Sequence, residues 1–186
     1  MTATTATKRL GDYVRVRTGK LDANASSKDG TYPFFTCAIE PLRIATHSYD
    51  CECVLVAGNG DLNVKYFEGK FDAYQRTYII ESLSSEDLCV RYLFHFMSRY
   101  VAKLRLLSIG GVIKYIKLGN LTEAQIPLPP LSEQKRIAEI LDRAEALRAK
   151  RRAALALLDE LTQSIFLDMF GDPAVNSKGL PTIELG

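Results

Sequence analysis

Apolar and polar residues alternate through much of the first half of the chain. Residues 13–17 read Y-V-R-V-R, the two-residue period of a half-buried strand. Residues 32–39 (YPFFTCAI) and 53–58 (CVLVAG) are short apolar runs bounded by turn residues, and NVKYFEGKF and RTYIIES continue the same pattern. Turns fall at Lys28-Asp29-Gly30, at Gly58-Asn59-Gly60-Asp61 and at Glu68-Gly69-Lys70. Ser84 or Ser85 then predicts a helix start, with Glu86 and Asp87 in the first turn. Cys89, Leu93, Phe96, Met97, Tyr100, Val101 and Leu104 follow at helical spacing and read as a core-facing stripe. The glycine pair in SIGG (residues 108–111) predicts a turn, and the alternating VIKYIKL (residues 112–118) predicts a strand.

The pattern changes abruptly at I-P-L-P-P-L-S-E-Q, where Pro127, Pro129 and Pro130 hold the chain extended. Ser132 is suited to cap the helix that follows, and Glu133 places negative charge at its positive end. From Ser132 to Phe170 there is neither Gly nor Pro, and strong helix formers dominate. A helix over that span would be roughly 58 Å long at 1.5 Å per residue. Ile137, Leu141, Ala144, Leu147, Leu155, Leu158, Ile165 and Met169 recur near heptad spacing, interrupted by Arg148, Lys150, Arg151 and Arg152. Gly171, Asp172 and Pro173 end the run. A rod of this length needs a second helix beside it, from another chain or from a further part of a longer one. The expected fold is α+β: a β-rich domain over residues 1–131 with one packed helix, a long helix over 132–170 that pairs antiparallel with a second copy, and a tail over 171–186. The tail sequence LPTIELG echoes TKRLGDY near the start, as the opening of a second repeat would.

Composition narrows the chemistry. No apolar run approaches the roughly 20 residues of a membrane span, and residues 1–7 lack the apolar core of a signal peptide, so a cytoplasmic location is expected. Cys37, Cys51, Cys53 and Cys89 lack the paired spacing of a zinc or redox site and read as free thiols. There is no G-x-x-x-x-G-K-[ST] loop, Gly58-Asn59-Gly60 lacks a third glycine, no Asn-Pro-Pro-Tyr-like methyltransferase motif occurs, and His47 and His95 stand apart. The chain therefore reads as non-catalytic. Of its net charge of +2, residues 1–131 hold the excess, 16 Lys and Arg against 13 Asp and Glu. Polar and basic residues in the loops are of the types that reach base edges and phosphates. The candidates are Lys20, Asn24, Ser26, Ser27 and Lys28; Asn59, Asn63 and Lys65; Gln75 and Arg76; and Arg105, Ser108 and Lys114. A DNA reader, a coiled-coil module that binds protein, and a recognition domain separated from a catalytic part all remain compatible with these residues.

The segment Ile126, Pro127, Leu128, Pro129, Pro130, Leu131, Glu133, Gln134 and Ile137 resembles the I-P-L-P-P-L-x-E-Q-x-x-I junction of type I restriction–modification specificity subunits. The likeness runs on to FLDMFGDP (residues 166–173), and the opening RLGDYV resembles the start of a target recognition domain. The resemblance implies two such units in tandem, each a recognition domain and a helix, with the helices antiparallel and the domains facing the halves of a split DNA site. This chain has about half the implied length, so a homodimer through the helix is expected. The resemblance also implies partners: methyltransferase subunits that supply S-adenosylmethionine chemistry and, through them, restriction subunits that use ATP and magnesium. No cofactor is expected in this chain itself.

Overall fold

A computed structural model describes residues 6–181; of the tail comparison, residues 182–186 lie outside the described residues. The chain forms two compact units, residues 1–139 and 140–186. In the first, β1 (Thr7–Arg9) is followed by β2 (Val14–Thr18), β3 (Tyr32–Phe35), β4 (Leu42–Ile44), β5 (Tyr49–Ala57), β6 (Val64–Ala73) and β7 (Thr77–Ser82). Helix α1 (Val90–Leu107), the short α2 (Leu118–Thr122) and β8 (Gln125–Pro127) come next, and α3 (Leu131–Phe170) begins in this unit.

Six strands form one sheet in the order β2-β7-β5-β6-β3-β4, antiparallel throughout except where β3 runs parallel to β6. Alternation in the sequence sorts side chains to two cores, one on each face. Val54 and Val56 of β5 and Ile80 of β7 face α1, where they meet Leu93, Met97 and Leu104. Their neighbours Cys53, Leu55 and Ile79 face the other way, onto Phe35, Phe71 and Tyr49. Phe71 stacks on Tyr49 with ring centroids 5.3 Å apart and meets Phe35 and Phe67 edge-on. Gly69, at φ 119, pairs with Cys51 inside the unbroken β5–β6 ladder, in a backbone conformation that glycine adopts readily.

Three elements differ from the sequence expectation. The turn expected at Glu68-Gly69-Lys70 is absent, because all three residues lie inside β6 and pair with β5. Helix α1 starts at Val90, not at Ser84 or Ser85. The Ser84 hydroxyl accepts the Glu86 N–H at 3.2 Å and its carbonyl accepts from Asp87 and Leu88, which makes a turn; Cys89 is then extended. The strand expected over residues 112–118 is absent. Gly110, at φ 119, opens a loop that Ile109 and Tyr115 close with reciprocal backbone bonds of 3.0 and 2.8 Å. Asn120 Oδ1 then accepts the Lys117 N–H at 2.7 Å and starts α2.

The proline junction is tied down on both sides. β1 pairs with β8, placing Lys8 opposite the fully buried Ile126. Tyr92 of α1 donates its hydroxyl to the Pro127 carbonyl at 2.7 Å. Helix α3 starts at Leu131, with the Pro130 carbonyl accepting the Gln134 N–H, so Ser132 lies inside the first turn and not before it as a cap. Gln134 is fully buried. Its Oε1 accepts the Cys89 N–H at 3.0 Å, and its Nε2 donates to the Asp87 and Pro129 carbonyls, each at 2.9 Å. One side chain thus satisfies the end of a turn, the start of α1 and the exit of the proline segment. Ile137 and Ala138 pack on the same core, so Ile137 belongs to the domain and not to a free helical seam.

The second unit holds α3 from residue 140 onward and the segment after it. Leu147, Leu155, Leu158, Ile165 and Met169 are exposed, and Leu161 and Phe166 share their side of the helix. Leu141 and Ala144 are half-buried. Gly171, at φ 75, donates its N–H to the Leu167 carbonyl at 2.8 Å and ends the helix as the sequence predicts.

Candidate nucleic-acid interface

Loops between strands carry most of the candidate residues, and backbone hydrogen bonds bring several of those loops together. The Gly58 N–H donates to the Arg76 carbonyl at 2.8 Å, and the Ile116 N–H donates to the Gly58 carbonyl at 2.9 Å. The Gly60 N–H donates to the Lys114 carbonyl at 2.9 Å. These bonds lock the 58–61, 74–76 and 109–116 loops into one surface. Asn59, Arg76, Ile113 and Tyr115 line a depression of about 430 Å³ there. Lys114 sits on its rim through its backbone bond to Gly60. Lys20 approaches the same region, because Gly19 donates to the Thr77 carbonyl at 3.1 Å and Leu21 bridges to Tyr74.

Close approach makes Gly58 sensitive. A Cβ there would fall within clashing distance of the Arg76 carbonyl oxygen. Gly58→Ala is expected to push the 74–76 loop away and to lower stability by about 1–3 kcal/mol, read by thermal unfolding.

Other candidates brace the loops. Asn63 Nδ2 donates to the Cys37 carbonyl at 2.7 Å and to the Asp61 carbonyl at 3.0 Å, while its Oδ1 accepts from Lys65. Burial holds the Lys65 ammonium below the usual lysine range. Arg105 is paired with Asp61 at 3.1 Å and donates to the Leu62 carbonyl at 2.9 Å. Gln75 donates to Asp22 at 2.8 Å, and the Ser108 hydroxyl donates to the Arg105 carbonyl at 2.6 Å. Ser27 and Lys28 lie elsewhere, beside the edge strand β4, where the Ser27 N–H donates to the Arg43 carbonyl at 2.8 Å. Asn24 and Ser26 are exposed in the same loop.

By contrast, the side chains of Lys20, Asn59, Arg76 and Lys114 make no hydrogen bond or ion pair within the chain among the described residues. They are a guanidinium, an amide and two ammonium groups with donors to spare, which suits base edges and phosphates. Sequence reasoning missed Ile113 and Tyr115, which it assigned to a strand. The signal was present in the glycine pair at residues 110–111, which favours a loop over continued alternation. Among the described residues, no group of three or more His, Cys, Asp or Glu could hold a metal ion, and no helix is long and apolar enough to cross a membrane.

Comparison with known proteins gives the same family from sequence and the same fold from structure. The chain is 40% identical over 157 residues to the type I restriction enzyme EcoDI specificity subunit of Escherichia coli, covering 84% of this chain and 34% of that protein. It thus spans about a third of that relative's length. Among solved structures, the S subunit of the type I restriction–modification system of M. genitalium superposes with a TM-score of 0.67 at 18% identity, over 95% of this chain and 52% of that one. The HsdS subunit of Thermoanaerobacter tengcongensis gives a TM-score of 0.61 at 20% identity, over 89% and 44% of the two chains. The model of the type I restriction modification DNA specificity domain matches residues 3–157, most of the chain, and the protein belongs to that family.

Proposed function

We propose that this chain is a DNA-sequence-recognition component of a type I restriction–modification complex and that its β-rich domain reads one half of a bipartite site. The observation that carries this reading is that Asn59 and Arg76, with their polar groups uncommitted, line one depression, beside loop backbone that carries Lys20 and Lys114. Arg and Asn are the side chains that take bidentate hydrogen bonds to guanine and adenine in the major groove, and Lys suits the phosphates beside them. Family membership supports the same reading.

The domain contributes recognition and no catalysis. Methyltransferase subunits are the proposed direct partners and bring S-adenosylmethionine; restriction subunits that consume ATP with magnesium join through them. The proposed location is the cytoplasm. The exposed apolar side of α3 supports pairing with a second copy, antiparallel, so that two identical domains read an inverted repeat. In that arrangement the helix length sets the distance between half-sites, as dimer geometry does for other DNA readers.

Methylome sequencing of cells carrying the chain with its cognate methyltransferase tests the reading. Loss of the chain is expected to abolish methylation at one bipartite motif. Arg76→Ala is expected to relax the motif at one base position, at a cost of about 1–3 kcal/mol in discrimination, whereas Lys114→Ala lowers methylation at the same motif and flattens the salt dependence of binding. An unchanged methylome without the chain would overturn the proposal.

A further inference from the structure

The 109–115 loop carries more apolar surface than its fold requires. Val112 is fully exposed, Ile113 is 62% exposed, and Leu106 at the end of α1 is 86% exposed. Val112 and Ile113 are adjacent in the chain, and neighbouring exposed apolar side chains mark a contact surface. The base of the loop is firmly held. Ile109 and Tyr115 bond to each other twice, and Ile116 is buried, with its carbonyl accepting the Tyr78 hydroxyl at 3.2 Å. An apolar tip is thus presented from an anchored stem. The charge around it is one-sided. Lys114 and Lys117 lie in and beside the loop, and residues 88–122 contain no carboxylate. Asp61 is the nearby carboxylate, and it is paired with Arg105. An apolar tip in a basic setting suits a polyanion whose grooves expose apolar groups.

We infer that this loop is a finger that enters the DNA groove read by Asn59 and Arg76, and that Ile113 contacts the methyl group of a thymine there. Ile113 lines the same depression as both polar readers, so a base edge within reach of Arg76 or Asn59 has a neighbour within reach of Ile113. In the major groove, the thymine methyl is the apolar feature that distinguishes one base pair from another. The inference rests on the DNA-reading proposal above and adds the base chemistry that the finger selects.

The test uses the chain assembled with its methyltransferase subunits and duplexes carrying the motif found by methylome sequencing. Each thymine of the half-site is replaced in turn by uracil, which removes the methyl alone. One replacement is expected to weaken binding about three- to fivefold, as the loss of one methyl contact would. Ile113→Ala is expected to weaken binding to the thymine duplex by a similar factor and to abolish the difference between thymine and uracil. Its side chain is exposed, so its melting temperature serves as the control for folding. Equal thymine-to-uracil differences in the wild type and Ile113→Ala, or no sensitive thymine at all, would overturn the finger and leave the DNA-reading proposal standing. Failure of Ile113→Ala to assemble with the methyltransferase subunits would also overturn it, by making the loop a protein-docking surface. A wild-type complex that does not bind the motif would overturn the DNA-reading proposal itself.

Discussion

Gln134→Ala is expected to lower the unfolding free energy by about 2–4 kcal/mol, because it removes the bonds that one buried side chain makes to three backbone groups of the junction. The Cys89 N–H loses its acceptor, and the Asp87 and Pro129 carbonyls lose a donor. The three lie on a turn, a helix start and a proline segment, so water can reach some of them only if the elements separate. For a domain of this size the melting temperature should fall by roughly 10 °C. Gln134→Glu keeps the shape and one acceptor yet loses both donated bonds and faces a carboxylate toward two carbonyl oxygens. It should be no better tolerated than alanine. Glu133→Ala, at the half-buried neighbouring residue, breaks the pair with Arg136 and should change the melting temperature far less. If Gln134→Ala melts with the wild type, the junction is held by the prolines and the apolar core alone.

Leu158→Glu carries the second large expectation, for assembly and not for folding. Leu158 is exposed on α3 in the single chain, so the charge costs little there. In an antiparallel helix pair it would be buried against a copy, at a cost of several kcal/mol. Sedimentation of the wild type at micromolar concentration is expected to show a dimer. Leu158→Glu should raise the dissociation constant at least about 100-fold and give a monomer. Leu155→Glu, one turn away on the same side, should behave alike. Ala156→Glu lies on the opposite side of the helix and should leave the dimer intact. A wild-type monomer, or equal effects at residues 156 and 158, would rule out the seam.

Most strands were legible from alternation: the apolar runs before residue 83 became strands, although the turn expected at Glu68-Gly69-Lys70 lies inside β6 and VIKYIKL formed none. What alternation cannot tell is which face is which when both are buried. Cys53 and Val54 look alike in sequence and lie in different cores. The long helix was legible from composition, since nothing over residues 132–170 resists it. Ile137 was misassigned to the seam because heptad spacing does not say where a domain stops covering its own helix. The loop at residues 109–115 was misread because period-two alternation in VIKYIKL outweighed the glycines before it. Among the candidate readers, the sequence named loop residues of the right type but could not separate those with free side chains from those that brace the loops. Asn59 and Asn63 are both asparagines beside one turn; Asn63 is spent on Cys37, Asp61 and Lys65, and Asn59 is not. That distinction depends on where other strands place their carbonyls.

The backbone bonds that fasten the loop surface have a consequence for how such a protein can change over generations. Gly58, Gly60 and Ile116 hold the loops to one another through main-chain atoms, so these bonds do not depend on which side chains residues 59, 76, 113 and 114 carry. Mutations at residues 59, 76, 113 and 114 can therefore drift toward new preferences while the frame persists, and novelty arises here without a loss of foldability.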